Sequence, residues 1–236
     1  MRAVSWRSLS RPDLHLAENL AAVRSRIAES ADRVGRNPAE VTVIAVTKTI
    51  AVERIHEAMA AGLQLFGENR VQEAVAKIDE IGTTQAQWHL IGHLQSNKVR
   101  FVEGRFAMVQ SIDSLGIVEA LGKRLRQTLD VLIEVNVAME PQKTGAMPEA
   151  LPAIARAISG VSSLRLRGLM TVAPLVTDLE RVRPVFRGLR RLRDQTSDLL
   201  GSPLPVLSMG MTDDYPVAVE EGATMLRLGR ALFGPR

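Results

Sequence analysis

Short apolar runs rich in β-branched residues alternate with amphipathic stretches from Val41 to the C-terminus of this 236-residue chain. The apolar runs predict strands, and the stretches with apolar residues three or four positions apart predict helices. The predicted strands are 41–47, 63–66, 87–91, 106–111, 131–137, 164–171, 205–209 and 225–228. The clearest predicted helices between them are 52–61, 71–81, 115–126, 148–158 and 179–199.

Strands that alternate with helices indicate βαβ units and a parallel sheet. Eight such strands in 236 residues fit a closed barrel better than an open sheet, so the predicted fold is a single (β/α)8 TIM barrel. An extra N-terminal helix over 14–34 should cover the bottom of the barrel or pack beside the last helix. We expect one barrel domain over 13–236 and a flexible N-terminal extension over 1–12.

The composition narrows the classes of function. The chain has no cysteine, which excludes disulfides, thiolate metal sites and cysteine nucleophiles and favours a reducing, cytoplasmic location. No apolar run is long enough to span a bilayer. The formal charge of +4 permits an anionic ligand. Six arginines between 181 and 193 stand at helical spacing without an aromatic platform, which favours a solvated helix face over nucleic-acid binding.

Lys48 follows the first predicted strand and is the candidate nucleophile. Chemistry in a TIM barrel takes place at the C-terminal ends of the strands. Taken alone, a lysine at such a place is most often a solvated cap. Barrel closure, however, sets strand eight beside strand one, so Arg227 should be a neighbour of Lys48 on the rim. A sheltered lysine amine there can condense with an aldehyde to form an imine.

The loops after strands seven and eight are the usual phosphate site of such barrels. Ser208, Gly210 and Gly229 lie in these loops, and glycine leaves the backbone N–H groups unobstructed. A helix expected after Thr212 directs its N-terminus to the same place. An aldehyde that carries a phosphate would fit both Lys48 and these loops, although each glycine also has a plain explanation as a turn residue.

Other polar residues are expected on the same rim. Asn69 and His89 end the second and third strands. His89 and His93 are four positions apart, but no third ligand follows at a useful spacing, so we interpret them as pocket wall rather than as a metal site. Glu68 is either a general base or one member of an ion pair.

Six blocks of sequence in the same order carry a resemblance to a known family. They are VTKT (46–49), GEN (67–69), WHLIGHLQSNK (88–98), GLMT (168–171), LSMGMTDD (207–214) and RLG (227–229). They resemble the pyridoxal phosphate homeostasis protein family over about 14–235. The resemblance implies the fold of the alanine racemase N-terminal domain, pyridoxal 5′-phosphate held as an internal aldimine, and a role in intracellular vitamin B6 and amino-acid homeostasis without an established enzymatic activity.

The resemblance also implies roles for individual residues. The matched cofactor-binding positions are Lys48, Asn69, His89, Ser208, Gly210, Arg227 and Gly229. Among them, Lys48 matches the aldimine lysine and Arg227 the arginine that faces the pyridine nitrogen, while the serine and the two glycines match phosphate-binding positions. Arg230 departs from the family pattern, in which a small residue often follows the last glycine.

We favour a carrier or regulator of pyridoxal phosphate over an enzyme. Arginine does not give up its proton, so Arg227 leaves the ring nitrogen neutral and a carbanion poorly stabilised. The candidate partners are pyridoxal phosphate, amino acids and apoenzymes that depend on this cofactor, with neither nucleic acid nor membrane. We expect a monomer.

Two other classes of function stay open. One is an amino-acid racemase that uses His89, His93 or Tyr215 as a second base. The other is an aldolase-like barrel in which a Lys48 imine acts on a sugar phosphate without a cofactor.

Overall fold

The computed structural model describes residues 11–174 and 176–235. Its sheet is a closed barrel of eight parallel strands in chain order, with β1 paired to β8, which confirms the predicted fold. The strands are β1 Thr42–Val46, β2 Leu65–Glu68, β3 Gln87–Leu90, β4 Met108–Ile112, β5 Leu129–Glu134, β6 Leu164–Met170, β7 Val206–Ser208 and β8 Met225–Leu228.

Helices connect the strands and surround the barrel. The α-helices are α1 Arg11–Asp32, α2 Val52–Ala60, α3 Val71–Ile81, α4 Leu115–Arg124, α5 Leu151–Ser159, α6 Arg183–Leu200, α7 Tyr215–Glu220 and α8 Arg230–Phe233. Between β3 and β4 the connection contains a 3-10 helix, Ser96–Phe101, in place of the α-helix of an ideal (β/α)8 barrel. Short 3-10 turns, Pro148–Ala150 and Leu179–Val182, precede α5 and α6, so both α-helices begin later than the sequence pattern predicts.

Strand boundaries differ from the predictions where polar residues take part in the barrel. The second strand ends at Glu68 rather than at Phe66, because its backbone pairs with β3 as far as Glu68, whose carboxylate is paired with Lys77 inside the protein. The fifth strand ends at Glu134 rather than at Val137. Beyond it, the backbone of Asn136 bonds to Ala146, so the chain leaves β6 and turns over the rim.

Helix α1 packs beside the last helix, α8, which is one of its two predicted placements. Its apolar face is buried against α7 and α8, and Asn19 Nδ2 donates to the carbonyl of Leu232 at 2.9 Å. The buried residues of this face are Leu16, Leu20, Val23 and Ile27. Of the predicted extension over 1–12, residues 1–10 lie outside the described residues, and Arg11 and Pro12 form the start of α1.

Two hydrophobic clusters form the core. The larger one lies between the outer faces of the strands and the helices. The smaller one consists of Met108, Leu132 and Met170. Side chains alternate between the two faces of a strand. Two residues further along each of these strands, the next side chain that points into the barrel therefore lies closer to the C-terminal rim. Gln110, Glu134 and other buried polar residues stand at these positions, so the upper half of the barrel interior is polar.

The arginine-rich face of α6 contacts acidic residues at the C-terminal end of α7. Arg183 contacts Glu220 at 2.7 Å, and Arg187 contacts Glu221, the residue after α7, at 2.9 Å. These ion pairs give Arg183 and Arg187 a role in the packing of α6 beside α7. Within the described ranges, no helix combines the length and the apolar character that crossing a membrane requires.

Candidate functional site

A cavity of about 360 Å³ opens at the C-terminal ends of the strands. Its size falls within the range of about 300–1,000 Å³ that is usual for small-molecule sites. Four of the predicted site residues line it: Lys48, Asn69, Arg227 and Gly229. The structure therefore brings together the residues that follow β1 and β2 with those at the end of β8, as barrel closure predicts.

Arg227 forms the polar floor beneath this cavity. The residue is 4% exposed, and its guanidinium donates to Ser208 Oγ and to the carbonyl of Thr171, both at 2.7 Å. Burial lowers the pKa of Arg227 to about 10, and the carboxylates of Glu134 and Asp214 oppose this shift. At neutral pH the side chain is therefore still a cation that can only donate hydrogen bonds.

Behind Arg227, a directed chain of hydrogen bonds crosses the barrel interior. Because Arg227 donates to Ser208 Oγ, the Ser208 hydroxyl donates onward to Gln110 Oε1, at 2.6 Å. The Gln110 amide nitrogen then lies 2.9 Å from His89 Nδ1, where it can only donate. His89 therefore carries its proton on Nε2. Burial lowers the pKa of His89 to about 4, so the imidazole is neutral at physiological pH.

Two predicted residues, His89 and Ser208, thus lie deeper than the cavity lining. Both are buried, and both have polar partners within the protein. The Ser208 hydroxyl orients Arg227, and a contact with phosphate would require it to exchange one of its present partners. Its role in phosphate binding stays a prediction.

Gly210 shapes the loop after β7. Its φ of +93° is favourable only for glycine, and an added Cβ would stand 2.6 Å from Ala218 Cβ of α7. Its carbonyl also accepts a hydrogen bond from the backbone of Arg227 at 3.0 Å. Gly210 therefore lets the loop pack closely under α7 and ties it to β8. Gly229 lines the cavity and is the N-cap residue that precedes α8.

Asn69 supplies an unpaired acceptor at the site. In the described part of the chain, Asn69 Oδ1 is buried and has no hydrogen-bond partner. A buried acceptor without a partner is costly, so a donor on a ligand or on water is expected there. Glu68, the residue before it, forms an ion pair with Lys77 at 2.8 Å, which supports the second of its two interpretations.

The other proposed second bases lie away from the Lys48 cavity. Tyr215 is the first residue of α7, is 9% exposed, and belongs to the hydrophobic core between the helices and the barrel. His93 lies on the rim after β3, with Nδ1 2.9 Å from Asp113. Neither lines the cavity. No group of three metal-binding side chains occurs among the residues that the structure describes.

Several polar residues around the cavity are not among the predicted site residues. Gln110 falls within a predicted strand, and Thr171 falls within both a predicted strand and the GLMT block. In the structure Gln110 contacts His89, and the Thr171 carbonyl accepts a hydrogen bond from Arg227. Lys77 is buried on α3 between apolar positions. The signal that could have identified it is its place on the apolar side of an amphipathic helix, where a lysine needs a buried partner.

The cavity carries a net positive charge. Lys48, Arg227 and Arg230 contribute cations, and Asp213 contributes one carboxylate, which is bound to Arg230 at 2.5 Å. This balance suits an anionic ligand. The nearby carboxylates Glu134 and Asp214 are buried, and burial raises the pKa of both.

The chain matches the family model "Alanine racemase, N-terminal domain" over residues 19–236. It is 44% identical over 225 residues to the pyridoxal phosphate homeostasis protein of Pseudomonas aeruginosa, with 94% of this chain and 96% of that relative covered. It is 40% identical over 231 residues to the protein of the same name from Escherichia coli, with coverages of 94% and 97%. The chain also resembles the solved structure of PipY from Synechococcus elongatus with PLP bound. The two superpose with a TM-score of 0.81 and are 37% identical in sequence, and the match covers 93% of this chain and 100% of PipY. The chain therefore belongs to the pyridoxal phosphate homeostasis protein family, within the wider family of the alanine racemase N-terminal domain.

Proposed function

We propose that the protein binds pyridoxal 5′-phosphate covalently through Lys48 and serves as a carrier or regulator of this cofactor in vitamin B6 and amino-acid homeostasis. The observation that carries the proposal is the cavity that joins the Lys48 amine to Arg227 and the loops after β7 and β8. Bound pyridoxal phosphate supplies an aldehyde, which condenses with a primary amine and releases one water.

The residues around the cavity fit the functional groups of this ligand. Lys48 is the amine, and the backbone at Gly229 with the Arg230 guanidinium suits the phosphate dianion. Arg227, fixed by two hydrogen bonds, presents donors to a ring nitrogen. Asn69 Oδ1 offers an unpaired acceptor to a donor at the same site.

The same residues favour storage and delivery over turnover. Racemisation needs a protonated ring nitrogen or a second base, and Arg227 cannot protonate that nitrogen because it remains a cation. His89 is neutral, but its Nδ1 already accepts from Gln110 and its Nε2 holds the proton. Tyr215, the first residue of α7, is packed in the hydrophobic core. No free base thus faces Lys48 from these candidate residues.

The similar proteins support this proposal. The Pseudomonas and Escherichia relatives are named for pyridoxal phosphate homeostasis rather than for an enzymatic activity. PipY was solved with PLP bound. A cytoplasmic location, a monomeric state, and transfer to amino acids or apoenzymes are further parts of the proposal.

The test is a visible absorption spectrum of the purified protein with pyridoxal phosphate, followed by borohydride reduction and peptide mapping. We expect a yellow protein and a reduced adduct on Lys48, both lost in Lys48→Ala. Lys123→Ala is the matched control, because Lys123 is an exposed lysine on α4. An adduct on another residue would refute the site, and a colourless protein would favour the cofactor-free imine.

Solvent deuterium exchange distinguishes a carrier from a racemase. The carrier should introduce no deuterium at the α-position of alanine, serine or other common amino acids beyond the rate of free pyridoxal phosphate. Efficient exchange that disappears on substitution of His93 or Tyr215 would establish a second base and overturn the proposal.

A further inference from the structure

The turn that carries Lys48 has an unfavourable backbone conformation. Thr49 has a φ of +60°, in the left-handed region that β-branched residues rarely adopt. Its side chain is exposed, so packing of the threonine does not hold it there. Such a conformation persists only where the surroundings fix it, and it is common next to functional groups.

A buried lysine of α3 fixes this turn on one side. Lys77 is 7% exposed, and its ammonium donates to the carbonyl of Thr47 at 2.6 Å, to Glu68 Oε1 at 2.8 Å and to Glu73 Oε1 at 2.7 Å. These three acceptors satisfy all three of its hydrogens. The Thr47 hydroxyl also donates to Glu68 Oε1, at 2.6 Å.

Glu73 fixes the other side of the turn. The same oxygen that accepts from Lys77 also accepts from the backbone N–H of Thr49. The residues before and after Lys48 are therefore both bonded to one cluster, while the Lys48 side chain itself is left to line the cavity. We term these three residues, Lys77, Glu68 and Glu73, the turn clamp.

We propose that the turn clamp positions Lys48: it holds the left-handed turn that presents the Lys48 amine to the cavity and thereby speeds covalent attachment of an aldehyde. This inference rests on the proposed function, since it assumes that Lys48 is the reacting amine. The members of the clamp do not line the cavity, so they act through the backbone of residues 47–49 rather than on the ligand.

Glu73 offers the cleanest variants, because it is partly exposed and its loss leaves the buried Lys77–Glu68 pair in place. Glu73→Ala removes the acceptor for Thr49. Glu73→Gln retains an oxygen that can accept from both Thr49 and Lys77 but removes the charge. Glu80→Ala is the matched control, since Glu80 is an exposed glutamate on the same helix.

The main experiment measures the rate of appearance of the visible band after pyridoxal phosphate is mixed with each apoprotein. We expect Glu73→Ala to react about tenfold more slowly than the wild type, as for a nucleophile displaced from its productive position. Glu73→Gln and Glu80→Ala should stay within about twofold of the wild type. Binding of pyridoxine 5′-phosphate, which has an alcohol in place of the aldehyde, should be unchanged in all three.

Three outcomes of this experiment would overturn the proposal that the turn clamp positions Lys48. The first is an equal rate for Glu73→Ala and Glu80→Ala. The second is an equal loss of rate in Glu73→Ala and Glu73→Gln, which would assign the effect to charge rather than to the held turn. The third is a parallel loss of pyridoxine 5′-phosphate binding in Glu73→Ala, because it would mean that the whole cavity depends on Glu73.

A second measurement separates this inference from the proposed function. Reductive methylation with formaldehyde and cyanoborohydride reports the reactivity of Lys48 toward a simple aldehyde, without the cofactor. If the wild type takes up no pyridoxal phosphate, the proposed function fails, yet slower methylation of Lys48 in Glu73→Ala than in Glu73→Gln still supports the clamp. Equal methylation in the two variants refutes it.

Discussion

Replacement of His89 by Asn should change the pH dependence of stability in a defined direction. Burial lowers the pKa of His89 from 6.5 to about 4 in the folded protein. The unfolded chain therefore binds a proton at this residue below about pH 6.5, and the folded chain does so only near pH 4. The wild type must lose stability from this source as the pH falls through that interval.

The expected loss is about 3 kcal/mol, because a pKa difference of one unit corresponds to about 1.4 kcal/mol. The neutral imidazole is required by the fold, since Nδ1 accepts a hydrogen bond from Gln110 and a second proton has no acceptor there. His89→Asn removes this titration. Other buried groups that titrate in the same range, such as Glu68 and Asp214, are present in both proteins, so their contributions cancel in the difference.

The assay is urea unfolding of wild type and His89→Asn at several pH values between about 7.5 and 4. The stability advantage of the wild type should be largest near neutral pH and should shrink by about 3 kcal/mol at the acid end. His56→Asn is the control for loss of an imidazole, because His56 is exposed on α2. A difference that does not vary with pH, or that grows as the pH falls, would refute the assigned protonation state.

Two further predictions concern the loops after β7 and β8. Gly210→Ala should lower the free energy of unfolding by about 2–4 kcal/mol, since it combines an unfavourable φ with a contact at 2.6 Å to Ala218. Gly35 has φ +65° but open space around an added Cβ, so Gly35→Ala should lower that free energy by only about 1 kcal/mol. Thermal or urea unfolding measures both variants. Arg230→Ala should weaken binding of pyridoxal phosphate about three- to tenfold and leave binding of pyridoxal unaffected, while Asp213→Asn should strengthen binding of pyridoxal phosphate by freeing the arginine. A spectroscopic titration measures both ligands. Equal effects on pyridoxal phosphate and pyridoxal would contradict a phosphate contact.

The sequence was sufficient to predict the order of the strands and which residues lie at their C-terminal ends around the cavity. Short apolar runs and helical periodicity mark elements whose type is fixed by local burial, and helix α3 and strand β8 have the bounds that the pattern predicts. Since all parallel strands of a barrel point the same way, the residues after them had to meet. Lys48, Asn69, Arg227 and Gly229 meet at the cavity for that reason.

The chain of hydrogen bonds inside the barrel, from Arg227 to His89, could not be predicted in the same way. His89 and Ser208 were assigned to the rim because they stand near strand ends, yet the structure places both beneath the cavity. Their depth depends on the tilt and register of β3 and β7 within the barrel, which side-chain periodicity does not encode. Gln110, which joins them, looks like any polar residue in a strand until its neighbours across the barrel are known.

The chain by itself thus determined the fold, the family resemblance and the lysine at the end of the first strand, because these follow from local periodicity and from contiguous motifs. Tertiary structure alone decided how that lysine is held. Thr47 follows β1, whereas Glu73 and Lys77 stand on α3, beyond β2 in the chain. Only the packing of α3 beside β2 joins them around Lys48. Hydrogen bonds depend on positions in space to within a few tenths of an ångström, and such positions are set by the closed barrel as a whole.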